Sequence, residues 1–480
     1  MPKTYRKTKI VATLGPATSS QEMISQLMAS GVDVFRLNYS HGDAGSKQEI
    51  VQLIRSISEK TGKHVGILAD LQGPKIRVGI MAGDSMTLTK GENVTITTDN
   101  VLGENGIIPT TYHALPSDVK VGSKILLDDG LMELKVVSVT QNNVKCHVIS
   151  GGELKNKKGI NLPGTVVSEP SLTKKDLADL DSALEAGVDY VALSFVRQAE
   201  DVDCLKRIIY SKGLNTPVIA KIEKPEALRN FKKILVSADA IMVARGDLGV
   251  EVLAEKVPFY QKKIISACNK AGKPVITATQ MLDSMVRNPR PTRAETSDVA
   301  NAIIDGTDAI MLSGETAMGD FPVESVKMMD RIARDVEKNY SWIKKDDKAI
   351  PSASISLAVA ESACHAASSL SAEAIAVFTQ TGGTASLISR FRPNIPIFAF
   401  TTSRKIQNKL SLIWGVYSTV IPVIVELDEA IKTVEDIFLS SGYRKGDIIV
   451  LIMGLPIDFH GSTNLLKVHK LGTGRFFEIY

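Results

Sequence analysis

The sequence predicts an α/β fold: a (β/α)8 TIM barrel carrying an inserted β-barrel domain and followed by a C-terminal α/β domain. Three observations predict it. Eight short apolar, strand-like runs recur with helix-compatible segments between them. One long interruption of different texture separates the third run from the fourth. After the region around Trp342 the strand and helix pattern restarts as a separate layer.

The eight runs are KIVATLG (Lys9–Gly15), VFRLNYS (Val34–Ser40), VGILADL (Val65–Leu71), DYVALSF (Asp189–Phe195), PVIAKIE (Pro217–Glu223), AIMVARGD (Ala240–Asp247), PVITATQ (Pro274–Gln280) and AIMLSGET (Ala309–Thr316). Most are continuously apolar rather than alternating, as parallel strands covered by helices should be. Between them, Thr173–Leu184 opens with a Thr-Lys-Lys-Asp capping signal. Pro225 stands at a helix start, where proline is tolerated. In such barrels the active site lies at the C-terminal ends of the strands. Here those ends hold Asn38, Ser40, Asp70, Lys221, Glu223, Asp247, Thr279 and Ser313.

The interruption, residues 72–169, is rich in β-branched and alternating runs such as SMTLTKGENVTITT and NNVKCHVIS, with Gly and Asn-Asn turns. It reads as a small β-barrel over the barrel mouth, where closure would exclude water. The catalytic barrel is then residues 1–71 and 170–345. The C-terminal domain is residues 346–480, with an Ala-rich helix at Ser354–Ser369 and buried strands in AIAVFT, PIFAFT and DIIVLIM.

Composition narrows the function. Hydrophobic residues make up 44% and charged ones 23%, ordinary for a large-cored soluble protein. A net charge of +4 over 480 residues, with no Lys/Arg block, argues against nucleic-acid binding. No run of 18 apolar residues offers a membrane span, and no apolar core follows the basic N-terminus, so the cytoplasm is expected. The four cysteines, Cys146, Cys204, Cys268 and Cys364, are dispersed without CxxC pairing, as in a reducing compartment.

Three runs carry the chemistry: KIEKPEAL from Lys221, MVARGDLG from Met242 and ITATQML from Ile276. Lys221 and Glu223, two residues apart, project to the same side of a strand. With Asp247 and Thr279 they could hold a hard divalent cation beside an anionic substrate. Carboxylate oxygens suit magnesium, which takes only one or two protein carboxylates and completes its shell from substrate and water. Arg36, Asn38 and Ser40 alternate along the second strand, and the Arg fork suits phosphate. Asp247 follows Arg245 and Gly246, where backbone amides can approach a ligand with no Cβ in the way. In the third domain, TQTGGTA (Thr379–Ala385) is a Gly-rich strand-to-helix turn that could present amides to an anion. TTSRK (Thr401–Lys405) and GSTN (Gly461–Asn464) could add hydroxyls and charge.

At these residues the chain resembles the pyruvate kinase family from end to end. TKIVATLGPAT, FRLNYSHG, DLQGPKIR, KKGINLPG, AKIEKPEAL, MVARGDLGVE, ITATQML, PTRAE and MLSGETA match its pattern in order. The resemblance implies transfer of the phosphoryl group of phosphoenolpyruvate to ADP, the last step of glycolysis, by a homotetramer with a mobile inserted domain. It implies magnesium on Glu223 and Asp247, with manganese able to substitute. Lys221 would stabilise the transferred phosphoryl group and the enolate, and Arg36 would contact the phosphoryl group. Gly246 and Thr279 would lie near the substrate carboxylate, and Thr279 or a water network including Ser313 would protonate the enolate. Asn38, His41, Arg77 and Lys158 would face the nucleotide.

Many members of the family need potassium, held at the positions of Asn38, Ser40, Asp70 and the Leu71 carbonyl, and carry Glu where this chain has Lys75. The Lys75 ammonium would replace that ion, and Leu71 and Gln72 also fit the potassium-independent branch. A bacterial-type enzyme is expected, because the chain shows neither the long N-terminal extension of animal forms nor a domain after Tyr480. The resemblance also implies an allosteric site for a phosphorylated metabolite, sugar phosphate or AMP, at Thr379, Thr381, Gly382, Gly383, Thr384 and Ser403. Two competing readings are a magnesium-dependent aldolase or lyase acting on pyruvate enolates and a non-catalytic metabolite sensor. The first would not need Arg77, Lys158 or the lid, and the second would not need Lys221, Glu223, Asp247 and Arg36.

Overall fold

The computed structural model describes residues 5–165, 167–341, 354–424, 426–455 and 463–473. Eight strands close a barrel: β1 (Lys9–Leu14), β2 (Val34–Asn38), β3 (Gly66–Asp70), β4 (Tyr190–Leu193), β5 (Val218–Ile222), β6 (Ala240–Ala244), β7 (Val275–Ala278) and β8 (Ala309–Leu312). Their order is sequential, β8 returning to pair with β1. Seven of the eight are buried along their whole length, which is why they read as unbroken apolar runs.

The strands end earlier than the sequence suggests, and the difference falls on the chemistry-bearing residues. Ser40 is not on β2, which stops at Asn38; it sits in the following turn, where its N–H donates to Asn38 Oδ1 at 3.1 Å. That Asn-based turn competes with the ladder and ends it. Arg245, Gly246 and Asp247 do not extend β6 but begin a helix, Arg245–Glu251. Ser313 lies just past β8, before a short helix at Gly314–Ala317.

The chain divides into two compact units. One holds Asp70–Asp181 and Ala192–Lys263, including the insertion. Where the sequence predicts a small β-barrel, the paired strands of the insertion form a six-stranded sheet and a two-stranded ribbon, Ser85–Leu88 with Gly152–Lys155. Both share one apolar core: Leu88 and Leu154 of the ribbon pack with Ile96, Leu127, Leu134, Val144 and Cys146 of the sheet. The strand Asn143–Ser150 buries Val144, Cys146 and Val148 alternately, the period of a one-faced strand.

The other unit holds Met1–Ala69, Ser182–Val191 and Ile264–Tyr480. Its C-terminal sheet runs in the order Val416–Val420, Ile397–Thr401, Ala374–Phe378, Ile448–Met453, Leu465–Lys470. The last strand is antiparallel and the others parallel. The helix Ile355–Ser369 packs its small face, Ala360, Ala363 and Ala367, into the same core. Two strands escaped the sequence reading. VYSTV is half polar, and LLKVHK is an edge strand with only His469 fully buried, so neither shows the apolar run that marks the central three. The expected domain boundary at 345/346 lies outside the described residues.

All four cysteines are free, and burial pushes the Cys146 and Cys364 thiols up to about 12. Among the described residues no helix is long and apolar enough to cross a membrane.

Candidate active site

Lys221 is the centre of a buried ionic cluster at the end of β5. Its ammonium lies 2.9 Å from Glu223 Oε1 and 3.3 Å from Asp70 Oδ1, and donates to Ser194 Oγ at 2.7 Å. Ser194 in turn donates to the Leu71 carbonyl at 2.7 Å. The second oxygen of Glu223 accepts from the Phe195 N–H at 2.7 Å. Phe195 holds a left-handed backbone, φ 55°, that points its amide at the carboxylate. Burial raises the Glu223 pKa; Lys221 opposes the rise and the Asp247 charge adds to it. The cluster therefore sets one ammonium against Asp70 and Glu223, with Asp247 acting on the same glutamate. Such an excess of buried negative charge is costly unless a cation offsets it.

Asp247 and Gly246 occupy the first turn of the helix Arg245–Glu251, and Arg245 is held by Gln261 Oε1 at 3.3 Å. Asp247 lines a cleft with Lys75, Ile160, Phe195, Arg197 and Lys224. The side chain of Lys75 makes no ion pair among the described residues, and its stem lies against Gly159. Lys75 thus shares a cleft with Asp247. In the insertion, Arg77 donates to the Lys157 carbonyl at 3.0 Å and Lys158 pairs with Asp128 at 2.8 Å.

In the other unit, Arg36 donates to Thr13 Oγ1 at 3.1 Å, and Thr13 donates to the Leu312 carbonyl at the end of β8. Asn38 is committed to the turn at Ser40, and His41 is exposed with its carbonyl accepting from Lys47 Nζ. Thr279 and Gln280 both take left-handed backbone, φ 66° and 52°. A β-branched residue there is a true outlier, and such strain concentrates at functional sites. The Ser313 hydroxyl is buried with no hydrogen-bond partner, while its N–H donates to Glu315 Oε2 at 2.7 Å.

The third-domain turn joins the strand Ala374–Phe378 to a helix. Thr379 Oγ1 accepts from the Gly382 N–H at 2.9 Å, and Gly382 uses φ 89° to cap the helix Gly383–Arg390. Thr381 and Gly383 are exposed; Thr384 Oγ1 meets Thr463 Oγ1 at 2.8 Å. Ser403 caps the helix Arg404–Leu410 through the Ile406 N–H. Gly461 and Ser462 lie outside the described residues.

Four residues of the site were missed in the sequence. Ser194 and Phe195 end the DYVALSF run, so the strand-end rule could have found them. Glu251 and Asn161, which meet at 2.9 Å, carry no sequence signal of contact across 90 residues.

Among the described residues no cluster of three or more His, Cys, Asp or Glu could hold a metal. The family model for "Pyruvate kinase, barrel domain" matches residues 5–326, and that for "Pyruvate kinase, alpha/beta domain" matches 357–469. A pyruvate kinase of Geobacillus stearothermophilus is 46% identical over 97% of this chain and 80% of its own length. One from Corynebacterium glutamicum is 45% identical over 97% and 98%. The crystal structure of a pyruvate kinase from Cryptosporidium parvum superimposes with TM-score 0.90 at 37% identity, covering 97% of this chain and 96% of that one.

Proposed function

The chain belongs to the pyruvate kinase family, enzymes of the phosphotransferase class, and from that membership we propose that it converts phosphoenolpyruvate and ADP to pyruvate and ATP. Membership sets aside the lyase and sensor readings. The observation that carries the proposal is the buried cluster of Lys221, Glu223 and Asp70, with Asp247 acting on the same glutamate.

Glu223 and Asp247 fit magnesium: both are hard oxygen donors, their charges oppose each other, and this ion needs only one or two protein carboxylates. Manganese, also an oxygen-seeking divalent ion, would substitute. When bound, the metal supplies positive charge to the substrate oxygens. In the reaction the bond from phosphorus to the enol oxygen breaks and one from phosphorus to the terminal ADP oxygen forms. Lys221, fixed by two carboxylates, offers preorganised positive charge to the phosphoryl group and the developing enolate. Arg36, steadied by Thr13, gives the phosphoryl oxygens a planar fork. Gly246 would leave room at the substrate carboxylate; Thr279, which the family resemblance assigns to the same group, holds a left-handed backbone. The enolate carbon then takes a proton. The unpartnered hydroxyl of Ser313 supports a water network there, with Thr279 as the other candidate. On the nucleotide side, Asn38, His41, Arg77 and Lys158 serve the phosphates and sugar, the last two carried by the insertion.

The proposal extends to independence from potassium. Lys75, an ammonium without an ion-pair partner among the described residues, would supply the charge the ion gives where Asn38, Ser40, Asp70 and Leu71 otherwise hold it. It extends also to allosteric control by a phosphorylated metabolite at Thr379, Thr381, Gly382, Gly383, Thr384 and Ser403, in a cytoplasmic homotetramer. Support for the effector loop is the left-handed Gly382 at the N-terminus of an eight-residue helix that no side chain caps. Phosphorus NMR tests the core reaction: the phosphoenolpyruvate resonance should pass into the γ-phosphate of ATP only with ADP and magnesium present. Release as inorganic phosphate instead would overturn the assignment.

A further inference from the structure

Glu251 ends the helix that begins at Arg245, one turn beyond Asp247, and its side chain is 2% exposed. The same oxygen, Oε1, meets two partners from different places. Lys224 Nζ lies 2.5 Å away, and Asn161 Nδ2 donates at 2.9 Å. Lys224 is the residue directly after Glu223. The Lys224–Glu251 pair therefore fastens the chain just past one candidate metal ligand to the helix that carries the other. Asn161 belongs to the insertion, in the strand Ile160–Asn161, which pairs with Leu126 and Leu127. It stands three residues beyond Lys158.

We propose that Glu251 is a positioning residue whose joint hold on Lys224 and Asn161 ties the geometry of Glu223 and Asp247 to the docking of the inserted domain. The inference rests on the reading of Glu223 and Asp247 as the metal pair. The physical argument is that a carboxylate this deeply buried has little water to replace a lost partner. When Asn161 is in place the charge of Glu251 is shared between an amide and an ammonium, and both the Glu223 and Asp247 backbones are anchored. When the insertion moves off, one donor goes and the remaining pair is free to shift. Linkage makes the effect reciprocal: whatever fixes Glu223 and Asp247 favours the docked insertion, and docking favours the metal. Partners behind metal ligands commonly change metal affinity by about 10- to 100-fold when removed.

The test uses the full chain and manganese as the probe. Free Mn2+ is followed by electron paramagnetic resonance, and amide hydrogen exchange is followed across 124–127 and 160–161. Asn161→Ala keeps the Lys224–Glu251 pair and removes only the tie to the insertion. It should speed exchange there by about tenfold, the factor one hydrogen bond to a charged group is worth. In the wild type Mn2+ should slow that exchange, and in Asn161→Ala the slowing should disappear, an effect that a merely structural contact would not produce. Glu251→Gln should weaken Mn2+ by about tenfold or more; should it fail to fold, Asn161→Ala carries the test alone. Lys124→Ala, which removes an exposed pair with Glu133 on the same sheet, should change neither readout. Manganese binding by the wild type with exchange in Asn161→Ala still slowed by metal would overturn the positioning role alone. No binding by the wild type would remove the metal reading, and this inference with it.

Discussion

Replacing Lys221 with methionine removes the ammonium and keeps the buried stem, together with the strand register Lys221↔Met242. At 2.9 and 3.3 Å and an effective dielectric of about 20, the attraction to Glu223 and to Asp70 is roughly 6 and 5 kcal/mol before desolvation is subtracted. Breaking such a buried pair typically costs about 3–5 kcal/mol net, because carboxylates are left without a counter-charge. Burial already raises the Glu223 pKa against the opposing pull of Lys221, so the variant raises it further. A carboxyl raised in the folded state contributes most stability below the ordinary carboxylate range and loses it as pH rises through the raised value. The gap in unfolding free energy between wild type and Lys221→Met should therefore be wide at pH 8 and narrow at pH 5, in urea melts without metal. Turnover at saturating metal should fall by about 10^3-fold, since losing even one neutral donor at a developing oxyanion costs about 10^2- to 10^3-fold. Turnover within tenfold of wild type would remove Lys221 from the reaction. A stability gap independent of pH would show that Glu223 and Asp70 are not the groups it neutralises.

Other perturbations test other parts of the account. Lys75→Glu should make activity depend on added potassium, and equal activity of the variant with and without the ion would refute the substitute-cation argument. Thr279→Gly should relax a left-handed strain of the order of 1–2 kcal/mol against a similar loss of backbone entropy. The melting midpoint should then hold or rise while kcat falls; a clear loss of stability would mean the conformation is not strained. Arg392→Leu removes a guanidinium set 3.0 Å from buried Asp308, bonded to Asn269 Oδ1 and stacked 4.7 Å from the Trp414 ring centre. It should cost about 3–5 kcal/mol in chemical denaturation at pH 7, and a loss under 1 kcal/mol would refute it. Burial raises the Asp308 pKa, with Arg392 the chief opposing charge, so this cost too should shrink at low pH.

The barrel was legible because seven of its eight strands are buried along their whole length and so advertise themselves as continuous apolar runs. Strand ends were less legible. Nothing in VFRLNYS announces that Asn38 folds its side chain onto the Ser40 amide, nor in AIMVARGD that Arg245 already starts a helix. Lys221 and Glu223 could be paired from their spacing, because a strand fixes which side they share. Asp70 joins them only through closure of the barrel, and Asn161 meets Glu251 only through docking of the insertion, relations that a linear pattern does not contain. Backbone strain was invisible for the same reason: Phe195, Thr279 and Gln280 are ordinary residues whose left-handed conformations the surrounding structure imposes.

The central claim is tested most directly by pyruvate formation from phosphoenolpyruvate and ADP with magnesium, coupled to lactate dehydrogenase, in sodium-free Tris with and without potassium chloride. Equal turnover in both buffers is the predicted result, supporting the phosphotransfer and the role of Lys75 together. Turnover only with potassium would retain the reaction and remove Lys75 as the replacement charge. No pyruvate in either buffer, even with sugar phosphates and AMP supplied, would contradict the account.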